Sequence, residues 1–111
     1  VLLSQPEPPT AIFAGNDEMA VGAILAAYQL GIHIPDNLSV IGFDDSAISL
    51  QIFPHLTTVV QPIGEIARAS VECLLEAIED PNAYEDHRLI PTHLELRNSC
   101  AIPKDRRPGR P

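Results

Sequence analysis

Apolar positions along this chain fall into several short unbroken runs and one long periodic stretch. Ala11-Ile12-Phe13-Ala14 has the length of a buried strand, and Gly15-Asn16-Asp17 breaks it. A helix over 17–30 is predicted next, with Asn16 as its cap and Asp17 and Glu18 near the positive end of its dipole. Met19, Ala20, Val21, Ala23, Ile24, Leu25, Ala26, Ala27, Tyr28 and Leu30 leave that helix almost no polar face. A helix apolar all round is covered all round, so one face is expected on a sheet and the other on a second subunit. Gly31 ends it, Pro35-Asp36-Asn37 turns, and Leu38–Phe43 reads as a second buried strand stopping at Asp44-Asp45. Residues 46–53 are weakly helical up to Pro54, and Thr57–Val60 is a third strand ending at Gln61-Pro62. Ile63, Ile66, Ala67, Val71, Leu74, Leu75 and Ile78 then recur at helical spacing opposite Glu65, Arg68, Glu72, Glu76 and Glu79. Pro62 suits the start of that helix over 63–79, and Asp80-Pro81-Asn82 stops it. Two short strands are expected after it, at His87–Ile90 and Thr92–Arg97.

Strands alternating with helices imply an α/β fold with a mainly parallel sheet. Ligands of such sheets bind beyond the carboxyl ends of the strands. Three polar side chains fall at such ends: Asn16 after the first strand, Asp44 after the second and Gln61 after the third.

Composition narrows the function. The 111 residues suffice for one small domain, and 45% hydrophobic with 20% charged content is that of a folded protein. No apolar run is long enough to span a bilayer, and the opening residues carry no signal-peptide pattern. The net charge of −8 argues against this segment gripping nucleic acid. Four of the seven basic residues, Lys104, Arg106, Arg107 and Arg110, crowd into a Pro/Gly-rich stretch over 103–111 that reads as a disordered, solvated tail. Cys73 and Cys100 make neither a disulfide framework nor a CxxC pair and read as reduced thiols. His33, His55, His87 and His93 are scattered, so no metal site is expected, and no phosphate-cradling glycine loop is present. Asp44-Asp45 as an acid/base or Mg²⁺ pair is disfavoured because neighbouring residues on a strand diverge.

Four segments carry a family resemblance. Ala11–Ala23 reads FAxND-x-MAxGA, Pro35-Asp36 leads into Val40-Ile41-Gly42-Phe43-Asp44-Asp45, and Pro54–Pro62 reads PxLTT-x-x-QP. In this order and spacing, closed by Pro91–Ser99, the chain resembles the LacI/GalR family of bacterial transcriptional repressors over roughly residues 9–100. The resemblance implies a periplasmic-binding-protein-like type I domain of two lobes, of which this chain is an incomplete C-terminal part. By that pattern residues 1–60 belong to the C-terminal lobe. Residues 61–91 cross to the N-terminal lobe as a helix plus a strand, and 92–102 return. The apolar stripe of the second helix is then expected to lie uncovered, so that this piece alone self-associates or is a proteolytic product.

The resemblance also implies the activity. A small-molecule effector, a sugar or nucleoside-like compound, binds in the interlobe cleft of a cytoplasmic homodimer. Its binding alters operator recognition by a helix-turn-helix headpiece that this chain does not contain. No catalysis, cofactor or membrane is implied. Asn16, Asp44 and Gln61 match effector-contacting positions, and Ile63 stands where some family members place an aromatic ring. Val21, Leu25, Ile48, Gln51 and Ile52 match the dimer surface. Each polar residue keeps a second reading: Asn16 as a helix cap, Asp44 as a turn cap, Gln61 as a partner for backbone groups. Asp45 is expected to be structural. The alternative is a periplasmic sugar-binding protein of a transporter, which shares the fold.

Overall fold

The computed structural model describes residues 2–80, 82 and 87–103. The chain divides into two compact units, Val1–Val60 with Leu94–Pro111, and Gln61–His93. The first unit contains β1 (Ala11–Phe13), α1 (Asp17–Gln29), β2 (Ser39–Asp44), the single-turn α2 (Ile48–Gln51) and β3 (Thr57–Val60). β1 and β2 are parallel, as are β2 and β3, and β4 (His93–Glu95) completes the order β1-β2-β3-β4. The α/β class with a parallel-dominated sheet is therefore as the alternation of strands and helices implies.

The register sorts the strands' side chains by face. Ile12 pairs with Val40 and Gly42 with Thr58, which places these four together under α1. The core lies there: Ala20, Ile24 and Ala27 of α1 meet Leu38, Val40 and Leu56, all essentially inaccessible to solvent. The buried positions of α1 are Asp17, Ala20, Val21, Ile24 and Ala27, an inward stripe at helical spacing. Its other face exposes Met19, Leu25 and Tyr28. The helix ends in a Schellman motif. Gly31, at φ 70°, donates its N–H to the Tyr28 carbonyl, and Ile32 donates to Ala27. Ile32 then packs on the core, so helix stop and hydrophobic contact coincide.

The strand extending over Thr92–Arg97 is shorter than expected, and residues beyond Glu95 have another task. The Val40 N–H donates to the Ser99 carbonyl, so the segment around Ser99 takes the place beside lower β2 that β3 holds from Ile41 upward. Ser99 is fully buried at this fork. Its hydroxyl donates to the Val40 carbonyl at 2.6 Å and accepts from the Thr57 N–H at 2.8 Å. Ser39 Oγ accepts from the Ala101 N–H, and the Asn98 N–H donates to the His55 carbonyl. Buried backbone groups left open by the parting strands are thus satisfied one by one.

In the second unit α3 (Ile63–Glu79) has the bounds that its periodicity predicts. None of its residues is buried, and Ile63, Val71, Leu74, Leu75 and Ile78 are exposed. Arg88 bridges Glu72 and Glu76 on the polar side of the helix. The expected strand His87–Ile90 is not formed. The four strands of the sheet do not include these residues. The basic stretch from residue 104 lies outside the described residues.

Candidate functional site

Because β1, β2 and β3 run parallel, their carboxyl ends share one rim of the sheet. Asn16 stands three residues past the end of β1, Asp44 is the last residue of β2, and Gln61 directly follows β3 in the second unit. Ile63, also in the second unit, opens α3 and is exposed.

Each rim residue is set by its local chain. Asn16 has an extended backbone at the start of α1, and its Oδ1 accepts from the Met19 N–H at 2.8 Å. The capping role is therefore real, and it fixes the side chain so that the amide nitrogen, a two-proton donor, keeps one orientation. Asp44 is exposed at the tip of β2 with φ 104°, and Asp45 follows at φ 56°. Two successive non-glycine residues at positive φ form a turn that projects the Asp44 carboxylate from the rim. Such backbone is uncommon for residues other than glycine, although Asp adopts it more readily than most.

The neighbouring groups hold this turn. Asp45 follows the end of β2, outside the strand's alternation, and its carboxylate is partly buried. Its Oδ1 accepts from Arg97 at 2.6 Å and from the Ser49 hydroxyl at 3.2 Å. Arg97 is largely buried and also donates to Ser49 Oγ and the Leu56 carbonyl, each at 2.9 Å. On the other side stands Asp17, in the first turn of α1 and fully buried. Its Oδ2 accepts from the Ser46 N–H at 2.7 Å and its Oδ1 from the Thr58 hydroxyl at 2.6 Å. Thr58 Oγ1 in turn accepts from the Asp45 N–H at 3.4 Å.

In the sequence Asp17 reads only as a favourable charge on the helix dipole, and Arg97, Thr58 and Gly42 carry no assigned role. One signal was available. A glycine inside the apolar run Val40–Phe43 marks close backbone approach. A Cβ on Gly42 would stand 2.2 Å from Asp17 Oδ1 and 3.2 Å from Asp17 Cα.

Of the residues expected on a subunit surface, Leu25 and Gln51 are exposed, Ile48 and Ile52 are half-buried, and Val21 is buried on the inward face of α1. Ile52 packs against the core. α1 and α2 lie against each other, and Leu25 of α1 is joined in exposure by Leu50 and Phe53 around α2. Among the described residues no three His, Cys, Asp or Glu side chains gather at metal-binding distance. Both cysteines are free, Cys73 in one unit and Cys100 in the other. No helix among the described residues is long and apolar enough to cross a membrane.

The sequence profile of the periplasmic binding protein-like domain matches residues 2–100. The chain belongs to that family. Within it, the domain's relatives are transcriptional repressors of LacI type, as the four motifs imply. The ribose operon repressor of Haemophilus influenzae is 42% identical over 101 residues, covering 91% of this chain and 29% of that protein. A LacI-family transcriptional regulator of Enterococcus faecalis V583, solved with bound ribose, is 33% identical with a TM-score of 0.77; the match covers 89% of this chain and 36% of the other. The lac repressor dimer, solved on its operator with the anti-inducer ONPF, is 33% identical with a TM-score of 0.78 over 85% of this chain and 32% of the other. The family domain seen here thus spans about three-tenths of the length of the curated relatives it matches, 29% in the first example.

Proposed function

We propose that this chain is the effector-sensing and dimer-forming part of a cytoplasmic DNA-binding transcriptional regulator. In this reading the effector is a small polyhydroxy molecule of the sugar or nucleoside class. The observation that carries the reading is the shared rim. A carboxylate on a left-handed turn and a capped carboxamide emerge from neighbouring parallel strands, where α/β sheets bind ligands. Asp44 would accept from two vicinal hydroxyls in charge-assisted hydrogen bonds, and Asn16 would donate to a ring or hydroxyl oxygen. Gln61 and Ile63, in the second unit, are proposed as contacts on the sequence pattern alone, one polar and one apolar. Ribose bound in the E. faecalis relative supports the ligand class.

Nothing on the rim is assigned a chemical step, and no cofactor is invoked. DNA contact is assigned to a headpiece outside this chain, in keeping with the segment's charge of −8 and with the relative solved on its operator. The effector acts by binding one arrangement of the domain better than another, which shifts the operator affinity reciprocally.

Titration calorimetry of the intact gene product with ribose tests the ligand assignment. Asp44→Ala is expected to weaken binding roughly tenfold to a hundredfold, the loss of a hydrogen bond to a charged group. Wild-type affinity in that variant would refute the assignment. We assign the second subunit to the α1–α2 face, a reading supported by the exposure of the large apolar residues Leu25, Leu50 and Phe53. Leu25→Glu is expected to move the sedimentation profile of the intact gene product from dimer toward monomer at micromolar concentration. An unchanged dimer would remove this face from the interface.

A further inference from the structure

We propose that Asp17 is a positioning residue: its buried carboxylate locks the left-handed turn at Asp44–Asp45 and so sets where the Asp44 carboxylate stands. The inference rests on the reading of Asp44 as an effector contact.

Four observations carry it. First, Asp17 has no solvent exposure, although its first-turn neighbours Glu18 and Met19 are exposed. A capping or dipole role is satisfied at the surface and does not require burial. Second, the oxygens divide the turn's backbone between them. Oδ2 accepts the Ser46 N–H directly, while Oδ1 takes the Thr58 hydroxyl proton, leaving Thr58 Oγ1 to accept the Asp45 N–H. One carboxylate therefore holds two consecutive amides of the segment that follows Asp44. Third, the residues in unfavourable backbone, Asp44 at φ 104° and Asp45 at φ 56°, each directly precede one of the held amides, those of Asp45 and Ser46. Such conformations persist only where surrounding structure over-determines them. Fourth, Gly42 lies directly beneath, with no room for a Cβ beside Asp17. The strand thus gives up a side chain at the one place that lets the carboxylate reach the turn.

A clamp of this kind has a functional consequence. A ligand that meets a pre-set carboxylate does not have to order the turn on binding, and affinity follows from that saving. Loosening the clamp should lower affinity without removing any atom that touches the ligand.

The test uses the intact gene product, hydrogen–deuterium exchange of the peptides covering Asp45 and Ser46, and ribose titration. Asp17→Ala and Thr58→Val are expected to speed exchange at these amides by about tenfold or more and to weaken ribose binding by a similar factor. Thr58→Ser, which keeps the hydroxyl, is expected to behave as wild type in both. Ile24→Val, a core change further along α1, is expected to lower thermal stability while leaving turn exchange and ribose affinity unmoved. Unchanged exchange at both amides in Thr58→Val would overturn the clamp, and that variant decides the matter if Asp17→Ala fails to fold. A loosened turn with wild-type ribose affinity would overturn the positioning role. Should the wild-type protein not bind ribose at all, the sugar reading fails by itself, and the exchange rates still decide whether Asp17 holds the turn.

Discussion

Gly42→Ala should destabilise the protein by about 3–5 kcal/mol, from two sources that act together. The new methyl would stand 2.2 Å from Asp17 Oδ1 and 2.8 Å from Leu56 Cδ2. Leu56 can yield a little by rotating, but Asp17 cannot. Its carboxylate is tied to Thr58 and Ser46, and its Cα is itself only 3.2 Å from the added atom. Either the first turn of α1 lifts from the sheet, or the carboxylate swings away and leaves buried donors unmatched. Overpacking of this kind costs about 1–3 kcal/mol, and a lost hydrogen bond to a buried charge about as much again. Since whole domains are stable by only about 5–15 kcal/mol, the variant should lie close to unfolding. Urea denaturation monitored by circular dichroism checks this. Gly22→Ala, where nothing lies within 4 Å, is the control and should be neutral or slightly stabilising. A Gly42→Ala midpoint at the wild-type value would mean that α1 and β2 are not so closely seated.

Arg97→Met should cost about 2–4 kcal/mol. The guanidinium retains little exposure and serves three acceptors on three segments: Asp45 in the turn, Ser49 in α2 and the Leu56 carbonyl before β3. Met fills similar space but offers no donor. The Asp45 carboxylate would then keep only the Ser49 hydroxyl among the partners described. Because Asp45 is partly exposed, water makes good some of the loss, which places the estimate below that for a fully buried pair. Arg97→Lys should recover part of the stability, since one ammonium cannot span all three acceptors as the planar fork does. Denaturation midpoints of the two variants check this, and equal midpoints for Met and Lys would show that the charge is not what matters.

How much was legible beforehand followed from how local each signal was. The periodic stripe of α3 and the block of β-branched residues Thr57–Val60 set their own bounds, and both elements form where the pattern puts them. The cap at Asn16 and the stop at Gly31 were equally visible, because capping chemistry acts within a few residues. What stayed hidden depends on contacts far apart in sequence. Thr58 reaches Asp17 across 41 positions, and Arg97 reaches Asp45 across 52. No window of neighbouring residues shows that a helix's first aspartate is buried or that a serine near the chain's end plugs a fork between two strands. His87–Ile90 misled for the complementary reason. Its composition suits a strand, but composition does not supply the neighbouring chain that a strand needs. Of the candidate site, the common rim could be foreseen from strand order alone. The left-handed turn that shapes it could not, since neither Asp44 nor Asp45 is the glycine that usually marks such backbone.

The effector is proposed to bind at the carboxyl rim of this sheet. A crystal structure of the intact gene product grown with ribose tests it directly, because the first unit also offers a hollow of about 610 Å³ at the opposite end of β1 and β2, bordered by Asn37, Ser39 and Cys100. Sugar hydroxyls within hydrogen-bonding distance of the Asp44 carboxylate and the Asn16 amide are the predicted result. A sugar seated beside Ser39 and Cys100, with Asp44 facing only solvent, would contradict the account.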